Sequence, residues 1–131
     1  MADSGYTLTN LEDADDVLGE RTGGRVQGRF LRPVLESREL GVSRFTFAPG
    51  FRSEVGHHHE TQEEVYVVVG GSGRAKVGDD VMDLRQWDVL RVAPEAIRAF
   101  AAGPDGLDMV IVGGSRPPEG DGHMVTDWWT E

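Results

Sequence analysis

Residues 50–71 read GFRSEVGHHHETQEEVYVVVGG, and this stretch decides the fold. It opens on a glycine turn, continues through three consecutive histidines and ends in the run EVYVVV, which two glycines close. A run of β-branched and aromatic residues bounded by turn residues predicts a β-strand. Tyr66 and Val68 alternate with Val67 and Val69, so one pair is expected to line the interior of a sheet and the other its outer face.

The rest of the chain repeats this pattern of short apolar runs separated by turn signals. Glycine makes up 18 of the 131 residues, which is about twice its ordinary share. Apolar residues do not recur at helical spacing over ten or more positions. The predicted strands are residues 25–35, 42–47, 64–69, 74–77, 81–84, 88–92, 97–101 and 107–112, with a hairpin turn at Gly78-Asp79-Asp80. This arrangement predicts an all-β fold, a small antiparallel β-barrel or jelly roll.

The length of the chain predicts a single domain with a segment at each end. Residues 1–24 are polar and acidic and are interpreted as an N-terminal arm, either loosely ordered or laid across the domain surface. Residues 25–113 form the barrel, and Pro33 limits its first strand to an edge or an end. Residues 114–131 form a C-terminal tail, whose Trp128 and Trp129 are expected to cover a barrel edge or lie in a subunit interface.

Composition excludes several classes of function. There is no cysteine, which rules out disulfides, thiolate metal sites and cysteine nucleophiles. The formal net charge of −10 argues against nucleic acid as a partner, because that binding depends on clustered Lys and Arg. No apolar run approaches the roughly 20 residues of a membrane helix, so no membrane partner is expected. The acidic N-terminus lacks the features of a secretory signal, and we expect the protein to be cytoplasmic.

The histidine cluster is the main candidate for chemistry. In an extended segment His57 and His59 project from one face, whereas His58 projects from the other. Glu64 follows across a bend, at the start of the predicted strand. Two imidazoles and a carboxylate from neighbouring strands form a common ligand set for a divalent transition metal ion. The alternative interpretation is a solvated loop, in which the histidines have no ligand role.

These residues resemble the first conserved motif of the cupin superfamily, G-x(5–6)-H-x-H-x(3–4)-E-x(6)-G. Gly50 matches the opening glycine, His57 and His59 the H-x-H pair, Glu64 the glutamate and Gly71 the final glycine. A shorter spacing would use Glu63 and Gly70 instead. The resemblance to small monodomain cupins implies a cupin barrel that binds one metal ion through His57, His59 and Glu64. The ion would be Zn, Mn, Fe, Ni or Cu.

The second cupin motif, G-x(5)-P-x-G-x(2)-H-x(3)-N, is only partly present in residues 86–103. Pro94 matches the motif's proline, but Trp87 and Ala96 replace its two glycines. Arg98 stands where the motif has a histidine, which in the family is the fourth protein ligand of the metal.

Arg98 leaves three arrangements open, because a guanidinium has no lone pair for coordination. Water or substrate could occupy the fourth position, with Arg98 beside the ion and favouring an anionic ligand. The site could instead have lost its metal, with Arg98 paired to Glu64 inside the barrel. In the third arrangement Arg98 points outward as a surface charge. His123 is either a surface histidine or a replacement ligand.

The resemblance implies a metal-binding monodomain cupin that acts on a small anionic or oxygen-rich metabolite. Arg98 and Tyr66 are the candidate substrate-binding residues, and no catalytic residue is assigned. The alternative is a non-catalytic cupin that binds a small ligand, with or without metal. Because the family includes isomerases, epimerases, dioxygenases, decarboxylases and proteins without catalysis, no reaction is predicted. We expect a homodimer.

Overall fold

The computed structural model describes residues 4–130 as one curled antiparallel sheet with very little helix. The strands are β1 (Val26–Phe30), β2 (Gly41–Phe47), β3 (Gly56–His59), β4 (Glu64–Val77), β5 (Asp80–Arg85), β6 (Val89–Val92), β7 (Arg98–Gly113) and β8 (Gly122–Val125). A 3-10 turn at Leu11–Asp13 and a four-residue helix, α1 (Arg32–Leu35), complete the elements. The predicted all-β barrel is confirmed. Among the described residues, no helix has the length and apolar character needed to cross a membrane.

The two longest strands organise the sheet. β7 pairs with β2 through its second half and with β4 along most of its length, and its first residue, Arg98, is paired with His57 of β3. β4 also pairs with β5 and β6, and β8 adds to the free side of β3. The sheet therefore folds over on itself and brings β3 beside the start of β7.

The core lies inside the curled sheet, where alternate residues of each strand meet. Tyr66 and Val68 are buried, whereas Val67 and Val69 lie on the outer face and are partly exposed, so the predicted alternation along β4 is confirmed. The core cluster contains Val26, Phe47, Tyr66, Val68, Ala75, Leu84, Val92, Phe100, Leu107, Met109 and Ile111. One end of this interior is polar, because β4 begins there with Glu64.

Two predicted strand breaks are wrong. Residues 64–69 and 74–77 belong to the single strand β4, and residues 97–101 and 107–112 lie in β7 apart from Ile97. The glycines at 70–73 produce register shifts within the β4–β7 ladder instead of ending it. Glycine can mark a bulge inside a strand as well as a turn between strands, and the sequence pattern does not separate the two cases.

Residues 25–35 contain a strand followed by a helical turn. β1 ends at Phe30, and Pro33 lies in the first turn of α1, where its missing N–H leaves no bond unmade. The N-terminal arm lies against β1: Asp16 forms a bridge with Arg29, and Ala14 is buried.

The C-terminal segment also packs on the sheet. β8 pairs with β3 in register from Gly56 opposite Val125 to His59 opposite Gly122. Trp129 is 1% exposed, packs against Ala99 and Ala101, and lies beneath the Arg74 guanidinium at 5.2 Å.

Candidate metal centre

His57, His59 and Glu64 lie together at the polar end of the barrel interior. The Nε2 atoms of His57 and His59 are each 3.4 Å from Glu64 Oε1, and the two rings meet edge to face with centroids 5.1 Å apart. One candidate ligand atom from each residue lies within 4.8 Å of the other two. The structure therefore brings together the three residues that spacing singled out.

The extended backbone of β3 explains why these two histidines share a face. His58, between them, projects to the opposite side and stacks on His123 at 5.2 Å between centroids. His123 Nε2 is 3.1 Å from Glu60 Oε2 on the outer surface, so His123 is not a replacement ligand in this structure. Glu63 is also on the outer surface, where its carboxylate accepts from Arg91 Nε at 2.6 Å. Glu64, and not Glu63, accompanies the histidines.

Glu64 is held as a carboxylate. Tyr66 donates its hydroxyl hydrogen to Glu64 Oε1 at 2.6 Å, and its ring packs on Phe100. Burial works against the charge, but the contacts with His57 and His59 and the Tyr66 hydrogen bond outweigh it and hold the pKa of Glu64 well below its usual range. Burial and the adjacent Glu64 charge raise the pKa of Tyr66, so its hydroxyl stays protonated.

Arg98 is completely buried beside Glu64, so the alternative in which it points outward as a surface charge is wrong. Its Nη1 donates to the carbonyls of His57, Pro94 and Ala96, and its Nη2 donates to that of Ala93. Nη2 is also 3.7 Å from Glu64 Oε1. The register that pairs Arg98 with His57 brings the side chain here, where it stabilises the turn before β7 and places a fixed positive charge beside the carboxylate.

Asp121 joins the site from the C-terminal segment, and sequence reasoning missed it. Its Oδ1 lies 2.8 Å from His59 Nδ1, and its side chain is 2% exposed. Oδ2 accepts from the Thr61 N–H, the Thr61 hydroxyl and the Gln62 N–H. Burial opposes ionisation, but these donors and His59 hold the pKa of Asp121 well below its usual range. Asp121 is separated from His59 by 62 positions, so no local motif connects them.

The donor set fits a metal ion. Among the described residues, the buried His59 Nε2 has no hydrogen-bond partner, because its contact with Glu64 lacks hydrogen-bond geometry. When Nδ1–H donates to Asp121, the Nε2 lone pair faces a carboxylate oxygen, which is repulsive unless a proton or a cation lies between them. The nearby Glu64 carboxylate raises the pKa of His59. Burial opposes this rise and Asp121 adds to it, so the surroundings of His59 favour a positive charge at this position.

Comparison with known proteins gives no match to a protein-family model and none among curated protein sequences. Solved structures do match. A cupin protein from Bacteroides fragilis aligns with a TM-score of 0.70 at 20% identity, over 88% of each chain. The polyketide cyclase RemF from Streptomyces resistomycificus aligns with a TM-score of 0.73 at 15% identity, over 95% of this chain and 87% of its own.

A third solved structure, an RmlC-like cupin from Shewanella frigidimarina, aligns with a TM-score of 0.63 at 18% identity, over 89% of this chain and 96% of its own. Identities this low establish the fold alone. The chain has the cupin fold, with a His-His-Glu cluster at one end of the barrel interior.

Proposed function

We propose that this cupin-fold protein binds one divalent metal ion through His57, His59 and Glu64, and that the occupied centre takes a small anionic, oxygen-rich ligand. The observation that carries the proposal is the unpartnered, buried His59 Nε2 directed at the Glu64 carboxylate. Two imidazoles and one carboxylate suit Zn, Mn, Fe, Ni or Cu. Three protein ligands leave a position for water or substrate, as in open catalytic metal sites.

The charges around the centre favour an anion. Arg98 balances Glu64, and Asp121 offsets one of the two charges of a divalent ion, so the occupied centre keeps one net positive charge. His57 is the most open of the three candidate ligands, with 32% of its side chain exposed against 11% for His59. A ligand would therefore approach from the His57 side. The metal would act as a Lewis acid that polarises an oxygen of this ligand.

Arg98 and Tyr66 would support the binding of this ligand indirectly, from within the barrel. Both terminal nitrogens of Arg98 donate to backbone carbonyls, so its contribution to anion binding would be the field of a fixed charge and not a bidentate contact. Tyr66 would orient Glu64 through its hydroxyl, while its ring forms part of the floor beneath the site.

A second candidate is a metal-free cupin that binds a small ligand without catalysis. It is favoured by the 3.7 Å contact between Arg98 Nη2 and Glu64 Oε1, because this contact balances the buried carboxylate without any ion. In that case the ligand would bind to the protein regardless of metal content.

Calorimetric titration with oxalate, used as a small dicarboxylate, separates the two candidates. Protein loaded with one equivalent of zinc is expected to bind oxalate, and protein stripped with a chelator is expected to bind none. Glu63→Gln, which alters the exposed neighbouring carboxylate, should bind like the wild type. Equal oxalate binding with and without zinc would support the metal-free candidate and overturn the proposal.

A further inference from the structure

The C-terminal segment contacts a candidate metal ligand directly, although it lies outside the cupin motifs. We propose that Asp121 is a positioning residue for the metal centre, which fixes the Nδ1–H tautomer of His59 and so presents the Nε2 lone pair towards His57 and Glu64. This inference rests on the proposed metal-binding function. It extends the centre from the barrel strands to the segment after residue 113.

The Asp121 carboxylate is oriented by contacts other than the one with His59. Its Oδ2 receives the Thr61 N–H at 2.7 Å, the Gln62 N–H at 2.9 Å and the Thr61 hydroxyl at 3.0 Å. With Oδ2 fully used, Oδ1 is the oxygen that faces His59 Nδ1, at 2.8 Å. An ionised carboxylate can only accept hydrogen bonds, so His59 must place a proton on Nδ1.

The same carboxylate also fixes the turn between β3 and β4. Thr61 and Gln62 lie in that turn, midway between His59 and Glu64, and both of their N–H groups point at Asp121. The register of β8 on β3 places Gly122 opposite His59 and so brings Asp121 beside the turn. Asp121 therefore controls both the orientation of one candidate ligand and its separation from another.

Carboxylate partners of metal-binding histidines fix the tautomer and ring orientation, and their loss weakens metal binding about 10- to 100-fold. A purely structural role would instead affect the turn without changing the position of the His59 proton. The two possibilities predict different results for the imidazole nitrogens, which NMR observes directly.

The test combines long-range ¹H–¹⁵N NMR of metal-free protein, at a pH above the pKa of His59, with zinc titration by calorimetry. Wild-type His59 is expected to carry its proton on Nδ1. In Asp121→Asn the amide oxygen is needed by the Thr61 and Gln62 N–H groups, so the NH₂ group faces Nδ1 and moves the proton to Nε2. Zinc binding should then weaken about 10- to 100-fold.

Glu60→Gln is the control, because it neutralises an exposed carboxylate that precedes the same turn and contacts His123 on the outer surface, and it leaves the contact between His59 and Asp121 in place. It should change neither the tautomer nor the zinc affinity. A wild-type Nε2–H tautomer would overturn the inference, and this reading does not depend on whether any variant folds. An Asp121→Asn protein that keeps either the wild-type tautomer or the wild-type zinc affinity would overturn it as well.

Failure of the inference can be distinguished from failure of the proposed function. A wild-type chain that binds no zinc contradicts the proposed function, whereas the tautomer of the metal-free protein still decides whether Asp121 orients His59. A chain that binds zinc equally well in the wild type and in Asp121→Asn contradicts only the role of Asp121.

Discussion

Arg98 is a cation that is completely buried in the barrel. Its side chain has no exposed surface, and its donors reach the carbonyls of the turn that precedes β7. A charged side chain in this position holds the backbone beside the candidate ligands in place. It also balances the charge of the Glu64 carboxylate, from which Nη2 is 3.7 Å away.

Replacing Arg98 is therefore expected to cost stability. Arg98→Met leaves several buried carbonyls without their donor and removes the positive charge beside the Glu64 carboxylate, and should lower the free energy of unfolding by about 3 kcal/mol or more. Denaturant unfolding of the chelator-treated protein measures this loss. Arg91→Met removes an exposed ion pair with Glu63 and should cost less than about 1 kcal/mol. Equal losses in the two variants would contradict the structural role of Arg98.

The three candidate metal ligands could be predicted from the sequence, because their spacing is local and strand alternation fixes their direction. Spacing allows either Glu64 or Glu63, and Glu64 could be preferred because the run EVYVVV resembles the strand that follows the metal-binding glutamate in cupins. The burial of Arg98 could not be predicted, because the second motif is too incomplete to fix its register. Asp121 could not be predicted either, since its contact with His59 depends on how β8 pairs with β3.

Among the strands, Gly71 lies between the two register shifts of the β4–β7 ladder. Gly71 has a φ of +70°, and a Cβ added there would lie 2.0 Å from the backbone oxygen of Gly106. Gly78 also has a positive φ, +57°, but open space surrounds its added Cβ. A comparison of the two positions therefore separates the cost of the left-handed backbone, which both share, from the cost of the steric clash at Gly71.

Gly71→Ala should destabilise the protein more than Gly78→Ala does. The left-handed backbone costs about 1–2 kcal/mol in either variant, and the overlap with Gly106 should add about 1–3 kcal/mol at Gly71. Thermal unfolding followed by circular dichroism gives both values. If Gly71→Ala loses no more stability than Gly78→Ala, the β4–β7 ladder adjusts to the added Cβ without strain, which would contradict this prediction.

The Asp16 carboxylate is one of several contacts that join the N-terminal arm to β1. Asp16 Oδ1 accepts the N–H groups of Leu18, Gly19 and Gly28, and these bonds, that of Gly28 foremost, lower the pKa of Asp16. A carboxyl whose pKa is lower in the folded state stabilises it above the ordinary value of about 3.9, and loses that effect as the pH falls through the folded value.

Asp16→Ala should accordingly lower the free energy of unfolding at neutral pH. The difference in stability between the wild type and this variant should shrink as the solution is acidified below the ordinary carboxyl pKa. Asp16→Asn keeps an oxygen acceptor without the charge, so it should lose less than Asp16→Ala at neutral pH. Urea unfolding at several pH values gives these comparisons. A stability difference between the wild type and Asp16→Ala that does not change with pH would show that the Asp16 charge does not contribute.

At the level of elements, the sequence indicates where strands lie better than where they end. Turn residues correctly mark the hairpin between β4 and β5, but the glycines at 70–73 and the residues around Pro104 lie inside continuous strands. β8 has no strong β-forming run and forms because β3 offers a free edge. Such an element depends on tertiary pairing and is invisible to local propensity.

At the scale of the whole molecule, the C-terminal tail packs against both β7 and the residues before β3. Trp129 covers Ala99 and Ala101 on the outer face of β7, while the backbone N–H groups of Trp128 and Trp129 donate to the Glu54 carbonyl just before β3. The tail thereby connects the strand that carries the histidines to the outer face of the barrel.

Trp129→Ala should lower the free energy of unfolding by about 3–5 kcal/mol, because it removes a fully buried aromatic side chain. Trp87, which is 67% exposed, offers the comparison: Trp87→Ala should change stability by about 0.5 kcal/mol or less. Chemical unfolding followed by circular dichroism avoids dependence on tryptophan fluorescence. Similar effects in the two variants would mean that the tail contributes little to the folded state.

The metal stoichiometry of the chain, expressed without an affinity tag, tests the central claim most directly. Elemental analysis after equilibration with zinc and removal of unbound ions should find one ion per chain in the wild type and in His58→Ala, whose side chain faces outward. It should find none in His57→Ala or His59→Ala. A wild-type chain without bound zinc, or full occupancy in both His57→Ala and His59→Ala, would contradict the account.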